Sequence, residues 1–185
     1  MKLAFIDMET TGTNHLIHTI WNFAAVFQTP GHEPEAFSFR CSPVPGAILD
    51  PKSLELGGVS KEELLQYEPP KSCLLSLRDV MGKYVDPYNK LDKFYFLAYN
   101  SPFDMNFLRE WFRQLEDSYF GSWFWFPDIC IMRKAAHSLI GQRHRLSNFQ
   151  LLTVAKHLGL EVDEKEAHDA LYDVELAREI YTKIT

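Results

Sequence analysis

No run in these 185 residues approaches the ~18–20 consecutive apolar positions that a membrane-crossing helix needs, so no such helix is expected. Cysteine is scarce: Cys41, Cys73 and Cys130 form no CxxC pair, which argues against a disulfide scaffold or a zinc ribbon. Free thiols in a reducing, cytoplasmic setting are the expectation. A basic excess is also missing. Lys and Arg number 19 against 25 Asp and Glu, a net charge of -6, which disfavours a broad cationic surface for gripping long duplex. There are no repeats, low-complexity tracts or evident linker, so one domain over residues 1–185 is expected. The opening MKLAFIDMETTG has a short apolar part that runs straight into acidic residues; it reads as a buried strand, not a secretory signal.

What is present is apolar and aromatic residue in quantity, 46% and 14%, enough for a substantial core. Residues 2–8 and 20–28 read as strands. Residues 35–41 set Phe37, Phe39 and Cys41 against polar neighbours, the alternation of a half-buried strand. The linking TPGHEP carries turn residues, so these three predict an antiparallel meander. SPVPGAILDP reads as irregular. Ser60 with Glu63 predicts a capped helix start. Further helices are expected at 72–85, 128–139, 147–158 and 169–183, and a buried strand at 94–98. Ser101 reads as an N-cap ahead of Pro102, opening a helix that carries Phe103, Phe107 and Trp111. In the last helix Leu171, Val174, Ala177, Arg178 and Tyr181 stand at helical spacing. Strands first, then helix alternating with strand, predict an α/β mixed sheet with helices packed on it.

Asp7, Glu9, Asp104, His168 and Asp173 carry the chemistry. They stand in FIDMETTG, AYNSPFD and HDALYD. Four carboxylates and a histidine are what a two-metal phosphodiester hydrolase needs. Asp7 and Glu9 are two apart, so on a strand both project from one face, ~7 Å apart along the backbone. Their strand is apolar on both faces, and burying two unpartnered carboxylates is costly; cations would supply the missing charge. The rival reading is a strand end emerging into water. Asp104 falls in a first helical turn, where the helix dipole also favours a carboxylate by itself. On a continuous helix His168 and Asp173 would point ~140° apart, so His168 is placed in the preceding loop and Asp173 one turn into the helix. The polar DEKEA of residues 163–167 would let a general base approach and leave. Asp169, Glu161, Asp163, Glu164 and Glu166 read as a solvated acidic face. An acidic pocket also explains the net charge without excluding a nucleic-acid enzyme, because bound cations reverse the local sign.

These three motifs, in this order and at these intervals, resemble those of the DEDD superfamily of 3′–5′ exonucleases. The histidine places the resemblance in the branch that contains the epsilon proofreading subunit of bacterial DNA polymerase and ribonuclease T. It covers nearly the whole chain, including Ile48, Pro51, Leu54, Gly58 and Val59 between the first two motifs, then Pro127-Asp128 and Leu146–Phe149. It implies a ribonuclease-H-like fold. It also implies two Mg²⁺ or Mn²⁺ ions held by Asp7, Glu9, Asp104 and Asp173, with His168 as general base. The implied reaction releases nucleoside monophosphates from a 3′ end. The chain departs from the family in having Tyr99-Asn100 where many relatives have His-Asn, and Asn22 where many carry an acid. Neither position is an implied ligand. The tail by which some proofreading subunits bind a polymerase is not expected here.

Met8, Thr10, Thr11, Asn100 and Phe103 are candidates to contact the terminal nucleotide. For Met8, Phe103 and Phe149, core packing is the stronger rival. Trp123-Phe124-Trp125-Phe126 reads as a core or loop anchor ahead of a stacking platform or partner contact. The expected substrate is a single-stranded DNA 3′ end or a frayed duplex end; RNA 3′ ends are the alternative, since contacts to the 2′-hydroxyl cannot be placed. A polymerase or other replication or repair protein is a possible partner. A catalytically silent nucleic-acid-binding subunit is the reading from another class.

Overall fold

The computed structural model describes residues 1–167 and 169–185. Three antiparallel strands come first: β1 (Leu3–Thr10), β2 (Ile20–Gln28) and β3 (Glu35–Arg40). Short helices α1 (Pro51–Leu56) and α2 (Lys61–Leu64) follow, then α3 (Pro70–Gly82). Strand β4 (Tyr95–Ala98) pairs parallel to β1 and leads into α4 (Ser101–Gln114). After α5 (Phe120–Trp123), the two-residue β5 (Ile129–Cys130) pairs parallel to β4 and runs into α6 (Ile131–Ser138). A 3₁₀ segment (Ile140–Arg145), α7 (Leu151–His157) and α8 (Ala170–Ile184) complete the order. The sheet order β3-β2-β1-β4-β5 is the mixed α/β arrangement that the sequence predicts.

Helices cover both faces. Ala4, Ile6 and Met8 of β1 join α3 and α4 in one core, with Leu74, Leu77, Phe107 and Trp111. Leu3 and Phe5, on the alternate positions, join α6, α7 and α8 in the other. A smaller cluster under α1 and α2 holds Trp21, Leu54, Val59 and Leu64. The Ser60 hydroxyl accepts from the Glu63 N–H at 3.1 Å, the cap its sequence predicts.

Several local expectations are corrected. Ser101 is the first residue of α4, not its cap; its buried hydroxyl hydrogen-bonds the Asp128 carboxylate instead. The stretch 42–51, read as irregular, ends in α1, a helix that was not expected: Asp50 accepts from the Lys52 N–H at 3.1 Å and Pro51 suits a first helical position. Residues 128–130 are not helical; β5 forms there because Leu97 and Ala98 offer an open sheet edge. Residues 147–150 precede α7. In α8 the buried stripe is Ala170, Val174, Ala177 and Ile180, while Leu171 stays exposed. Trp123 and Phe124 are buried anchors, whereas Phe126 is 76% exposed.

Tyr99, just past β4, is a tether. Its buried hydroxyl donates to the Phe149 carbonyl at 2.8 Å, joining the end of β4 to the segment before α7. Tyr99→Phe should therefore cost about 1 kcal/mol. The check is a lowered urea midpoint at unchanged slope.

Candidate active site

Odd-numbered residues of β1 face α8. Phe5 meets Tyr181 edge-on at 5.5 Å between ring centroids. Two and four residues further along the strand come Asp7 and Glu9. Eight residues back along α8 comes Asp173, in that helix's first turn. Eight helical residues rise ~12 Å and the strand advances ~10 Å over three residues, so strand and helix carry their acids to one place. Asp7, Glu9 and Asp173 each offer a carboxylate oxygen, and these atoms lie within 4.8 Å of one another. The β1–β2 register slips between Glu9 and Thr10, a bulge at the strand end that carries the acids.

Asp104 comes from the other side of the sheet edge. Strand β4 runs parallel to β1, so α4 starts at the same carboxyl-terminal edge, and Asp104 sits buried in its first turn. Sheets of this kind bind ligands at that edge. Its charge presses on Asp7. Burial, then Asp104, Asp173, Glu9 and Asp169, hold the Asp7 carboxyl well above the usual range. Burial and the charge of Glu9 raise Asp104 as well, against a lowering backbone hydrogen bond. Glu9 is pushed up to about 7, by burial first and then by Asp173 and Asp169. Half-buried acids held this close fit divalent cations. Asp7, Glu9 and Asp173 supply oxygen donors within reach of one ion, and Asp104 stands beside them.

That electrostatic load predicts a pH dependence. A carboxyl whose folded-state pKa exceeds its unfolded value binds its proton more tightly when folded. The metal-free fold should lose stability as pH rises from the ordinary glutamate value of 4.5 through about 7. Mn²⁺ added above that window should raise the melting temperature, and far less below it. Thermal melts with and without EDTA across the range check both.

Asp169 was not expected here. It caps α8, accepting from the Leu171 and Tyr172 N–H groups at 3.0 and 3.1 Å, and its charge reaches Asp7 and Glu9. An aspartate immediately before a helix is a cap signal, and that signal was present. His168 lies outside the described residues. Thr10 and Thr11 lie at the strand end with their hydroxyls committed. Thr10 donates to the Gly12 carbonyl at 2.7 Å; Thr11 donates to the Ile48 carbonyl at 2.8 Å and accepts from the Thr19 N–H at 3.0 Å. Their side chains brace the loop after β1. Gly12 is needed in that loop, since a Cβ there would stand 2.3 Å from the His18 ring. Met8 is buried on the face opposite the acids, in keeping with the packing reading of its side chain. Asn100 is exposed at the start of α4, and Phe103 is half-buried with its ring 4.7 Å from Phe107. A cleft of about 270 Å³, lined by Gln150, Leu151, Leu152, Ala167 and Asp173, opens beside the cluster. The first three had no chemical signal in the sequence.

The RNase_T pattern, described as exonuclease, matches residues 4–181. The chain belongs to this exonuclease family. It is similar to ribonuclease T of Baumannia cicadellinicola, 24% identical over 97% of this chain and 81% of that protein. It is 25% identical to a PolC-type DNA polymerase III of Oceanobacillus iheyensis, over 91% of this chain but 10% of that protein. Among solved structures, Escherichia coli exonuclease I in complex with a dT13 oligonucleotide aligns with a TM-score of 0.73 at 20% identity. That alignment covers 98% of this chain and 40% of exonuclease I, so the chain spans about two fifths of that protein's length. At this identity the likeness shows the fold, the ribonuclease-H-like arrangement that the motifs imply.

Proposed function

We propose that this exonuclease domain removes nucleoside monophosphates from the 3′ end of single-stranded DNA or frayed duplex, with two Mg²⁺ or Mn²⁺ ions held by Asp7, Glu9, Asp104 and Asp173. The observation that carries the reading is the convergence of acids from three distant segments at the carboxyl-terminal edge of β1 and β4. When bound, the ions neutralise phosphate charge and make water a better nucleophile. The four carboxylates, fixed on β1 and in the first turns of α4 and α8, would hold the cations' positive charge where the terminal phosphodiester is to be oriented. His168 takes the proton from the attacking water. The bond from phosphorus to the 3′ oxygen of the shortened strand breaks, and that oxygen takes a proton from solvent. In this reading Asn100 and Phe103, at the start of the helix that carries Asp104, contact the last nucleotide.

A second reading keeps the chemistry and changes the sugar. The relatives named ribonuclease T support RNA 3′ ends as substrate. The PolC-type relative supports a polymerase or another replication or repair protein as partner. Among the described residues no helix is long and apolar enough to cross a membrane. The test is digestion of matched DNA and RNA strands labelled at the 5′ end, with Mg²⁺ or Mn²⁺. A ladder shortening from the 3′ end is expected, faster on DNA. A faster RNA ladder would select the second reading. No product from folded protein would favour a silent binding subunit.

A further inference from the structure

A second feature of the surface is a groove on the outer side of α4. It encloses about 300 Å³ between Met105 and Arg109 of the helix and Phe120, Trp125 and Phe126 of the following segment. Phe126 is 76% exposed, an aromatic ring left in water. The Arg109 guanidinium lies 5.3 Å over the Phe120 ring, and the Lys93 ammonium 5.3 Å over Trp125. Among the described residues lining the groove, none is acidic. Of the carboxylates close in sequence, Glu110 pairs with Arg113, Asp117 with Arg78 at 2.8 Å and Asp128 with the Ser101 hydroxyl, while Asp104 belongs to the acid cluster. In a chain of net charge -6, a surface that offers cations and rings without anions stands apart.

The wall is also fixed in place. The Phe94 N–H donates to the Trp123 carbonyl, and the Trp125 N–H to the Phe94 carbonyl, both at 2.9 Å. This extends the sheet edge beyond β4, so Trp125 is presented by paired backbone, with Phe126 directly after it. The groove shares α4 with the acid cluster: Met105 follows Asp104 in that helix. It then runs along α4 to Arg109, ~6 Å further on at 1.5 Å per residue.

We propose that this groove holds the part of a single-stranded DNA substrate that lies upstream of the terminal nucleotide. Bases stack on Phe126 and Trp125, and Arg109 and Lys93 neutralise the phosphates between them. An anionic polymer with aromatic bases is the occupant whose chemistry complements cations interleaved with rings. The proposal rests on the exonuclease reading for its direction along the strand, but the groove's binding can be measured without hydrolysis.

The experiment is fluorescence anisotropy in EDTA with labelled oligothymidylates of about 3 and about 12 nucleotides, using wild type, Phe126→Ala and Arg109→Gln. Both side chains are exposed, and a melting curve for each variant checks its fold. Wild type should bind the longer strand about tenfold more tightly than the shorter. Each variant should lose most of that gain and bind the short strand as wild type does. A wild type without length dependence, or variants that keep it, would overturn the proposal. So would variants that weaken both lengths equally. A protein that shortens 3′ ends but fails this test keeps the exonuclease reading and loses the groove; variants that lose length-dependent binding in a protein without hydrolysis would do the reverse.

Discussion

Asp7→Asn is expected to lower hydrolysis roughly 10³-fold or more, while the metal-free protein melts no lower than wild type near neutral pH. The two effects have one cause. Burial and the charges of Asp104, Asp173, Glu9 and Asp169 all act against the ionised Asp7 carboxylate. The amide has nearly the same shape and carries no charge, so the substitution relieves repulsion at little cost in packing. The same loss removes a proposed cation ligand, and with the cation the positive charge that would hold the phosphodiester. A residue whose substitution stabilises the empty fold and abolishes turnover is placed there for function. Melting curves in EDTA alongside steady-state rates in Mn²⁺ give both halves. Normal turnover in Asp7→Asn would defeat the mechanism.

His168→Ala is expected to lower kcat about 10²- to 10⁴-fold, the usual range for a deleted general base. It should leave cation affinity near wild type, because His168 is not among the proposed ligands. The variant's rate should keep climbing at alkaline pH, where hydroxide needs no base to generate it. Rates across pH, paired with Mn²⁺ titrations, separate this pattern from that of a ligand variant. If Mn²⁺ affinity fell with the rate, His168 would be a ligand and the division of roles would be wrong.

Much of this was legible because it is periodic. Residues 20–28 are apolar on both sides of the chain, and the strand forms where that run lies. Asp7 and Glu9 share a face because strands alternate, and Asp173 falls in a first helical turn because HDALYD ends a polar stretch and starts an apolar one. What was not legible depends on distant partners. Ser101 has the local look of a cap, yet its hydroxyl answers to Asp128, 27 positions away. The partners of the Thr11 hydroxyl, Ile48 and Thr19, are likewise not visible in its local sequence. Two residues make β5 only because β4 leaves an edge beside them. Asp169 is the instructive case. Read as one more acid in a solvated run, it caps α8 and adds charge to the site, and only the position of β1 under that helix reveals it.

The account stands on the acids forming one cation centre, and calorimetric titration with Mn²⁺ near pH 7.5 tests this most directly, comparing wild type with Asp7→Asn and Asp173→Asn. It predicts saturable binding by wild type and at least about tenfold weaker binding by both variants, each still folded. Absence of binding by wild type, or undiminished binding by both variants, would contradict it.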